Sequence, residues 1–253
     1  AQRRREVAAA VERSLSDLPT GSCVALMAAN HETGVIQPLR EAWQIAHDKG
    51  AWLHVDAVQA IGKLAPAQWQ WWDSVSIGAH KIQGPKGIGA LAWRCGAPVP
   101  RSGLFGGSQE RGLRPGTVDP VLVAGFGAAI AGTQDGPEAY LRLTSLRDEL
   151  ERALDGLAQP NVSGATERLG HVSSLFVPGW PGAELVAALD LEGVCISSGS
   201  ACSAGTAEPS PVVGAMLGQT RAASSVRVSL GRSTTPADIA YAIRAFQKVL
   251  TRT

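Results

Sequence analysis

Four residues and one loop in this 253-residue chain could do chemistry where they stand. Asp56 closes the short apolar run AWLHVD, which reads as a buried strand with a carboxylate at its carboxyl end, the edge of an open α/β sheet where ligands bind. A carboxylate there could equally be the N-cap of a following helix. Lys81 follows a second strand, in GAHK, beside the glycine-rich stretch GPKG. A lysine in a dry, tight site loses part of its positive charge and can condense with an aldehyde, whereas most lysines are solvated surface groups. Taken together the two are more informative: pyridoxal phosphate needs a lysine for its aldehyde and commonly a carboxylate for its pyridinium nitrogen. Arg227 lies on an otherwise apolar strand, SSVRVSLGR, with a forked donor set that suits a substrate carboxylate or a structural ion pair. The loop GGSQERG (106–112) could line a phosphate or be an ordinary surface loop. Cys202 stands in SSGSACSAG, among small residues that offer little apolar bulk to bury a thiol. A thiol on such a loop can meet a substrate and then carry something away.

The elements that must position these groups follow from periodicity. Helices are predicted over 3–16, 38–49, 121–131, 138–157, 182–192, 210–217 and 236–250, and strands over 24–28, 51–55, 73–77, 89–93, 171–177, 194–197 and 225–229. Alternating strands and helices predict an α/β fold with a mainly parallel sheet, and the breaker Asp135-Gly136-Pro137 divides a first domain, 1–134, from a second, 135–253.

Composition narrows the function class. Net charge is +1 with no basic stripe, so nothing points to nucleic acid. The longest apolar stretch, 121–132, is too short and glycine-rich to span a bilayer, and a soluble, cytoplasmic protein is expected. Four cysteines, at 23, 95, 195 and 202, show neither a disulfide framework nor metal spacing, and no metal is expected. Cys195, in an apolar run, is expected to pack. Seven tryptophans against two tyrosines are unusual.

Seven stretches, in order along the chain, carry a specific likeness: ANHETGVIQP (29–38), HVDAVQAIGK (54–63), GAHKIQGPKGIGAL (78–91), GGSQERGLRPGT (106–117), SSGSACSAG (197–205), EPS (208–210) and SSVRVSLGR (224–232). The chain resembles the cysteine desulfurases of the NifS/IscS type, within the fold-type I, aspartate-aminotransferase-like pyridoxal-phosphate enzymes. The resemblance implies a large cofactor domain and a smaller carboxyl-terminal domain. It gives Lys81 the role of the cofactor-bearing lysine that moves the Cα proton. Asp56 partners the pyridinium nitrogen, and Gln59 lies near the phenolic oxygen. His80 helps hold the phosphate, and Thr117 reaches the phosphate across a dimer interface. Arg227 clamps the substrate carboxylate, and Cys202 is the nucleophile that takes sulfur from L-cysteine as a persulfide, leaving alanine. A homodimer and a sulfur-acceptor protein, scaffold or carrier, are implied partners. Related readings are a selenocysteine lyase, a desulfurase of the other group, or an inactive chain that only binds proteins.

Three departures from the family pattern stand out. His31 replaces an asparagine that contacts the phenolic oxygen. Gly78 replaces a serine that serves the phosphate. The family's amino-terminal portion, with a helix N-terminus for the phosphate, has no counterpart in the 253 residues. Weak cofactor binding and exposed apolar surface are expected of the chain by itself.

Overall fold

The computed structural model describes residues 2–162, 166–199 and 208–251. The chain divides into two units, 1–28 with 37–137, and 29–36 with 138–253. The short stretch 29–36, which chain order would leave in the first part, thus belongs to the second.

The first unit is built on a four-stranded sheet. After α1 (Gln2–Leu15) come β1 (Cys23–Met27), α2 (Leu39–Asp48), β2 (Trp52–Asp56), α3 (Pro66–Trp69), β3 (Ser74–Gly78), β4 (Gly89–Trp93) and α4 (Pro120–Ala131). Strand order is β1-β2-β3-β4; the first three are parallel and β4 returns antiparallel to β3. Leu53 and Val55 of β2 are fully buried on one face of the sheet, while Trp52 and His54 on the other are half-buried. The helix α2 buries Leu39, Ala42 and Ala46, spaced to lie along one face. Asp119 caps α4 by accepting from Val121 N at 2.8 Å and Leu122 N at 3.3 Å, and Pro120 at its first position donates nothing the helix needs.

Four of the seven tryptophans gather at the end of this sheet where the parallel strands begin. Asp73, buried just before β3, accepts from Leu53 N at 2.7 Å and Trp43 Nε1 at 3.4 Å, with His47 Nε2 2.9 Å away. Trp43 stacks on His47 with ring centroids 4.0 Å apart, and Trp71 and Trp52 flank them. Arg94 lies 4.6 Å over the Trp72 ring. This knot fastens α2 to β2 and β3 at the end opposite Asp56.

The helix α5 (Gly136–Leu141) runs from the first unit into the second, which has α6 (Leu143–Ala153), β5 (Gln159–Pro160), β6 (Val172–Phe176), α7 (Gly182–Leu191), α8 (Pro211–Leu217), α9 (Gln219–Ala223), β7 (Ser225–Ser229) and α10 (Pro236–Leu250). Its strands form an antiparallel sheet in the order β5-β6-β7. Leu150, Leu154, Leu175, Leu185, Leu189 and Phe246 are wholly buried in one core shared by sheet and helices. Thr235 and Asp238 cap α10 reciprocally, Thr235 Oγ1 accepting from Asp238 N at 3.3 Å and Asp238 Oδ2 from Thr235 N at 2.8 Å.

Two predicted elements need correction. The helix expected over 138–157 is two helices, α5 and α6, divided at Arg142. The strand expected over 194–197 is only a single bridge, Ser197 to Arg227. Its apolar residues Val194 and Ile196 pack on the core without a strand partner, so burial alone produced the strand-like pattern.

Candidate functional site

In the first unit the chemistry collects where β2 and β3 end. Asp56 is the last residue of β2 and pairs in register with Ser76 of β3, two residues before that strand ends at Gly78. Backbone bonds from Ala28 N to Asp56 O at 2.8 Å and from Ala57 N to Ser76 O at 3.0 Å hold the strand ends level. The Asp56 carboxylate is exposed and accepts from Val58 N at 2.9 Å. No helix begins there; the residues after Asp56 form turns, so the carboxylate caps a turn and is not a helix N-cap. On the same face of β2, His54 Nδ1 lies 2.8 Å from Ser74 Oγ and Nε2 lies 3.3 Å from Ser76 Oγ.

After Gly78 the chain turns through a 3₁₀ helix, Ala79–Lys81, which leaves His80 and Lys81 exposed. Ile82 N and Gly84 N both donate to Ala79 O, at 3.0 and 2.9 Å. Gln83 adopts a left-handed conformation with φ of 65°. Gly84 cannot be larger, because a Cβ there would lie 2.9 Å from Ala79 O and 3.0 Å from Ala129 Cβ. At Gly78, by contrast, a Cβ would meet the His80 ring at an ordinary 3.4 Å, so the missing hydroxyl is not forced by space. Gln59 is half-buried in the turns after β2. Thr117 is exposed at the end of the 106–117 loop, which Gln109 closes by accepting from Gly116 N at 3.1 Å.

The motif HVDAVQAIGK ends on a lysine for which the resemblance implies no role. Lys63 is only 7% exposed, and its Nζ donates to the Lys81 carbonyl at 3.0 Å. Burial, and then the like charge of Lys81, lower its pKa from 10.5 to about 8. A lysine ending a run of small apolar residues was the available signal.

In the second unit Arg227 sits mid-strand on β7, opposite Ser174 of β6. Its Nη1 donates to the carbonyl of His31 at 3.2 Å. The turn bearing His31 is folded by Asn30, whose Oδ1 accepts from Glu32 N, Thr33 N and Thr33 Oγ1 at 3.0, 2.8 and 3.0 Å. The His31 side chain is 38% exposed and lies 3.8 Å from the Glu32 carboxylate. The turn is tied down by Leu169 N donating to Gly34 O at 2.8 Å and by a bridge between Val35 and Arg168. Arg168 in turn makes a two-pronged bond to Glu151, 2.6 Å on each arm, and Glu151 also accepts from Ser173 Oγ at 2.7 Å.

Cys202 lies outside the described residues. The residues flanking it on either side, Gly199 and Ser210, come together: a Cβ on Gly199 would lie 3.4 Å from that of Ser210 and 3.6 Å from Glu32 Oε2. Cys195, expected to pack, is exposed, with its Sγ 3.5 Å from Asp190 Oδ1. Without a strand over 194–197 no sheet partner covers it.

The chain belongs to the class-V aminotransferase family, whose pattern matches residues 4–241. It is 40% identical over 225 residues to a cysteine desulfurase of Cereibacter sphaeroides, covering 87% of this chain and 57% of that protein. It is 40% identical over 241 residues to the cysteine desulfurase IscS of Anaeromyxobacter dehalogenans, covering 90% and 57%. A NifS-like protein from Rickettsia africae, known from its X-ray structure, superposes with a TM-score of 0.81 at 28% identity, over 96% of this chain and 66% of that one. The fold is therefore that of the fold-type I pyridoxal-phosphate proteins. The chain spans less than two thirds of the length of these relatives.

The donor set of the first unit fits the ring of such a cofactor. A carboxylate (Asp56), an amine (Lys81), an amide (Gln59) and an imidazole (His80) are the groups that a pyridinium nitrogen, an aldehyde, a phenolic oxygen and a phosphate would each require. The phosphate is less well served among the described residues, where His80, Thr117 and the 106–112 loop are its candidates.

Proposed function

We propose that this chain carries the chemistry of a cysteine desulfurase. The observation that carries the proposal is the position of Asp56 at the end of β2 and of Lys81 just past the end of β3, two adjacent parallel strands of one sheet. The names of its relatives support the same reading.

Asp56, Gln59, His80 and Thr117 would hold pyridoxal phosphate, with Lys81 as its covalent anchor. When bound, the cofactor supplies the electron sink that allows the carbon–sulfur bond of cysteine to break. Lys81 moves the proton at the substrate Cα. Arg227 binds the substrate carboxylate, its guanidinium oriented by the His31 carbonyl. The Cys202 thiolate attacks the substrate sulfur. A sulfur–sulfur bond forms, the carbon–sulfur bond breaks with its electron pair left on carbon, and protonation there yields alanine. Cysteine and a thiol thus become alanine and a persulfide, with no outside oxidant. A sulfur-acceptor protein takes the terminal sulfur in the cytoplasm.

The same reading includes a homodimer. Val121 and Val123 of α4 are 76% and 47% exposed, and Phe105 is 99% exposed, an apolar surface that a second copy would cover. Among the described residues, no helix is long and apolar enough to cross a membrane.

The test is to supply pyridoxal phosphate and L-cysteine and to measure alanine together with a persulfide on Cys202 by mass spectrometry. Equal amounts of both, within one turnover and without reductant, are expected. Alanine without persulfide on Cys202 would overturn the sulfur-transfer assignment.

A further inference from the structure

Lys63 has an unusual place for a lysine. Taking an ammonium out of water is costly, and a Met of similar length would fill the same space without that cost. Unlike Met, Lys63 donates a hydrogen bond to the carbonyl of Lys81, 3.0 Å away.

That carbonyl belongs to the peptide unit joining Lys81 to Ile82. The N–H of the same unit donates to Ala79 O at 3.0 Å. A peptide unit is planar, so holding it at both its C=O and its N–H fixes its orientation. The ψ angle of Lys81 is then set, and with it the direction in which the side chain leaves the backbone.

The other end of the strut is also fixed. Lys63 N donates to Ala60 O at 3.0 Å. Gly62, just before it, has φ of 68°, and a Cβ there would come within 2.8 Å of Thr133 Cγ2 and 3.3 Å of Ile82 Cγ2. A Cβ on Gly136 would run into the Gly62 carbonyl. The backbone that carries Lys63 is wedged between the Lys81 loop and the end of α4.

We infer that Lys63 is a positioning residue for Lys81, a buried cationic strut that fixes the peptide unit from which the reactive amine projects. This rests on the reading of Lys81 as the cofactor-bearing lysine. Burial, and after it the like charge of Lys81, lower the pKa of Lys63.

The test uses the full chain with Lys63→Met, which removes the donor, and Lys63→Arg, which keeps a cationic one. Two quantities are read beside global stability in urea. One is hydrogen exchange of the Ile82 amide. The other is the rate at which pyridoxal phosphate is captured by Lys81, trapped with borohydride and located by peptide mass spectrometry. Lys63→Met should speed Ile82 exchange and slow capture, each about tenfold, as for one lost hydrogen bond to a charged group. Lys63→Arg should recover most of both. Should Lys63→Met not fold, Lys63→Gln, whose shorter neutral amide reaches less far, is read in the same way.

If stability falls while Ile82 exchange and Lys81 capture stay at wild-type values, Lys63 is only a packing element and the inference is wrong. If the wild-type chain traps the cofactor on another lysine, the cofactor reading itself fails and the inference with it. That outcome is told apart by where the label sits.

Discussion

Ser197 and Arg227 exchange both of their backbone hydrogen bonds, Ser197 N to Arg227 O at 3.1 Å and Arg227 N to Ser197 O at 2.6 Å. The segment that leads into Cys202 is thereby registered on the residue proposed to grip the substrate carboxylate. The Arg227 side chain is oriented in turn by a backbone carbonyl, that of His31.

Arg227→Lys should therefore raise KM for cysteine, with a loss of roughly 30-fold or more in kcat/KM, because a point charge replaces a two-pronged donor. His31→Asn should leave KM within about twofold, since the orienting carbonyl remains. Steady-state alanine release checks both. An unchanged KM in Arg227→Lys would remove this residue from the substrate site.

The Arg168–Glu151 pair holds the segment that bridges to Val35 of the His31 turn, and both side chains are largely buried, 4% and 10% exposed. Glu151→Ala would take from the buried guanidinium its two-pronged partner and leave the Asp148 carboxylate 3.8 Å away. A loss of about 3 kcal/mol is expected in urea unfolding. A change under about 0.5 kcal/mol, the usual range for surface substitutions, would show that the pair is screened by water.

Much of this arrangement was legible from residue types and spacing. The strand ends at Asp56 and before Lys81 could be read because apolar runs stop at a polar residue followed by turn formers. The membership of 29–36 in the second unit was not legible, because the bonds from Leu169 and Glu167 that secure it come from about 130 residues away. Nor was the break at Arg142, where the apolar spacing runs on unbroken through a helix boundary. Cys195 illustrates the opposite error: an apolar neighbourhood suggested burial, but burial there depends on strand pairing that does not form.

The exposure of Cys195 means that its loss costs little packing. Cys195→Ser should fold and turn over cysteine like the wild type, with stability within about 0.5 kcal/mol. Cys202→Ser should bind pyridoxal phosphate and still form no persulfide. Persulfide mass mapping decides between them. Activity lost in Cys195→Ser and kept in Cys202→Ser would reverse the assignment.

Lys63 also gives stability a pH signature. Its folded pKa of about 8 lies below the ordinary 10.5, so between these values the unfolded chain binds more protons than the folded one. The cost of burying the ammonium is present in full below about pH 8 and is relieved as pH rises towards 10.5. Relative to Lys63→Met, the wild type should therefore gain stability between pH 8 and 10, measured by urea unfolding at each pH. A difference between the two that is flat across this range would mean that Lys63 is not desolvated in the fold.

The central claim, that Lys81 and Asp56 form the cofactor site, is tested most directly by borohydride trapping of pyridoxal phosphate on the full chain, followed by peptide mass spectrometry. The account predicts a single pyridoxyl group on Lys81, absent in Lys81→Ala together with the visible absorbance of the lysine-bound cofactor. In Asp56→Ala it predicts weakened binding by roughly 2 kcal/mol, for a lost hydrogen bond to a charged group. A pyridoxyl group on any other lysine, or a visible band that survives in Lys81→Ala, would contradict it.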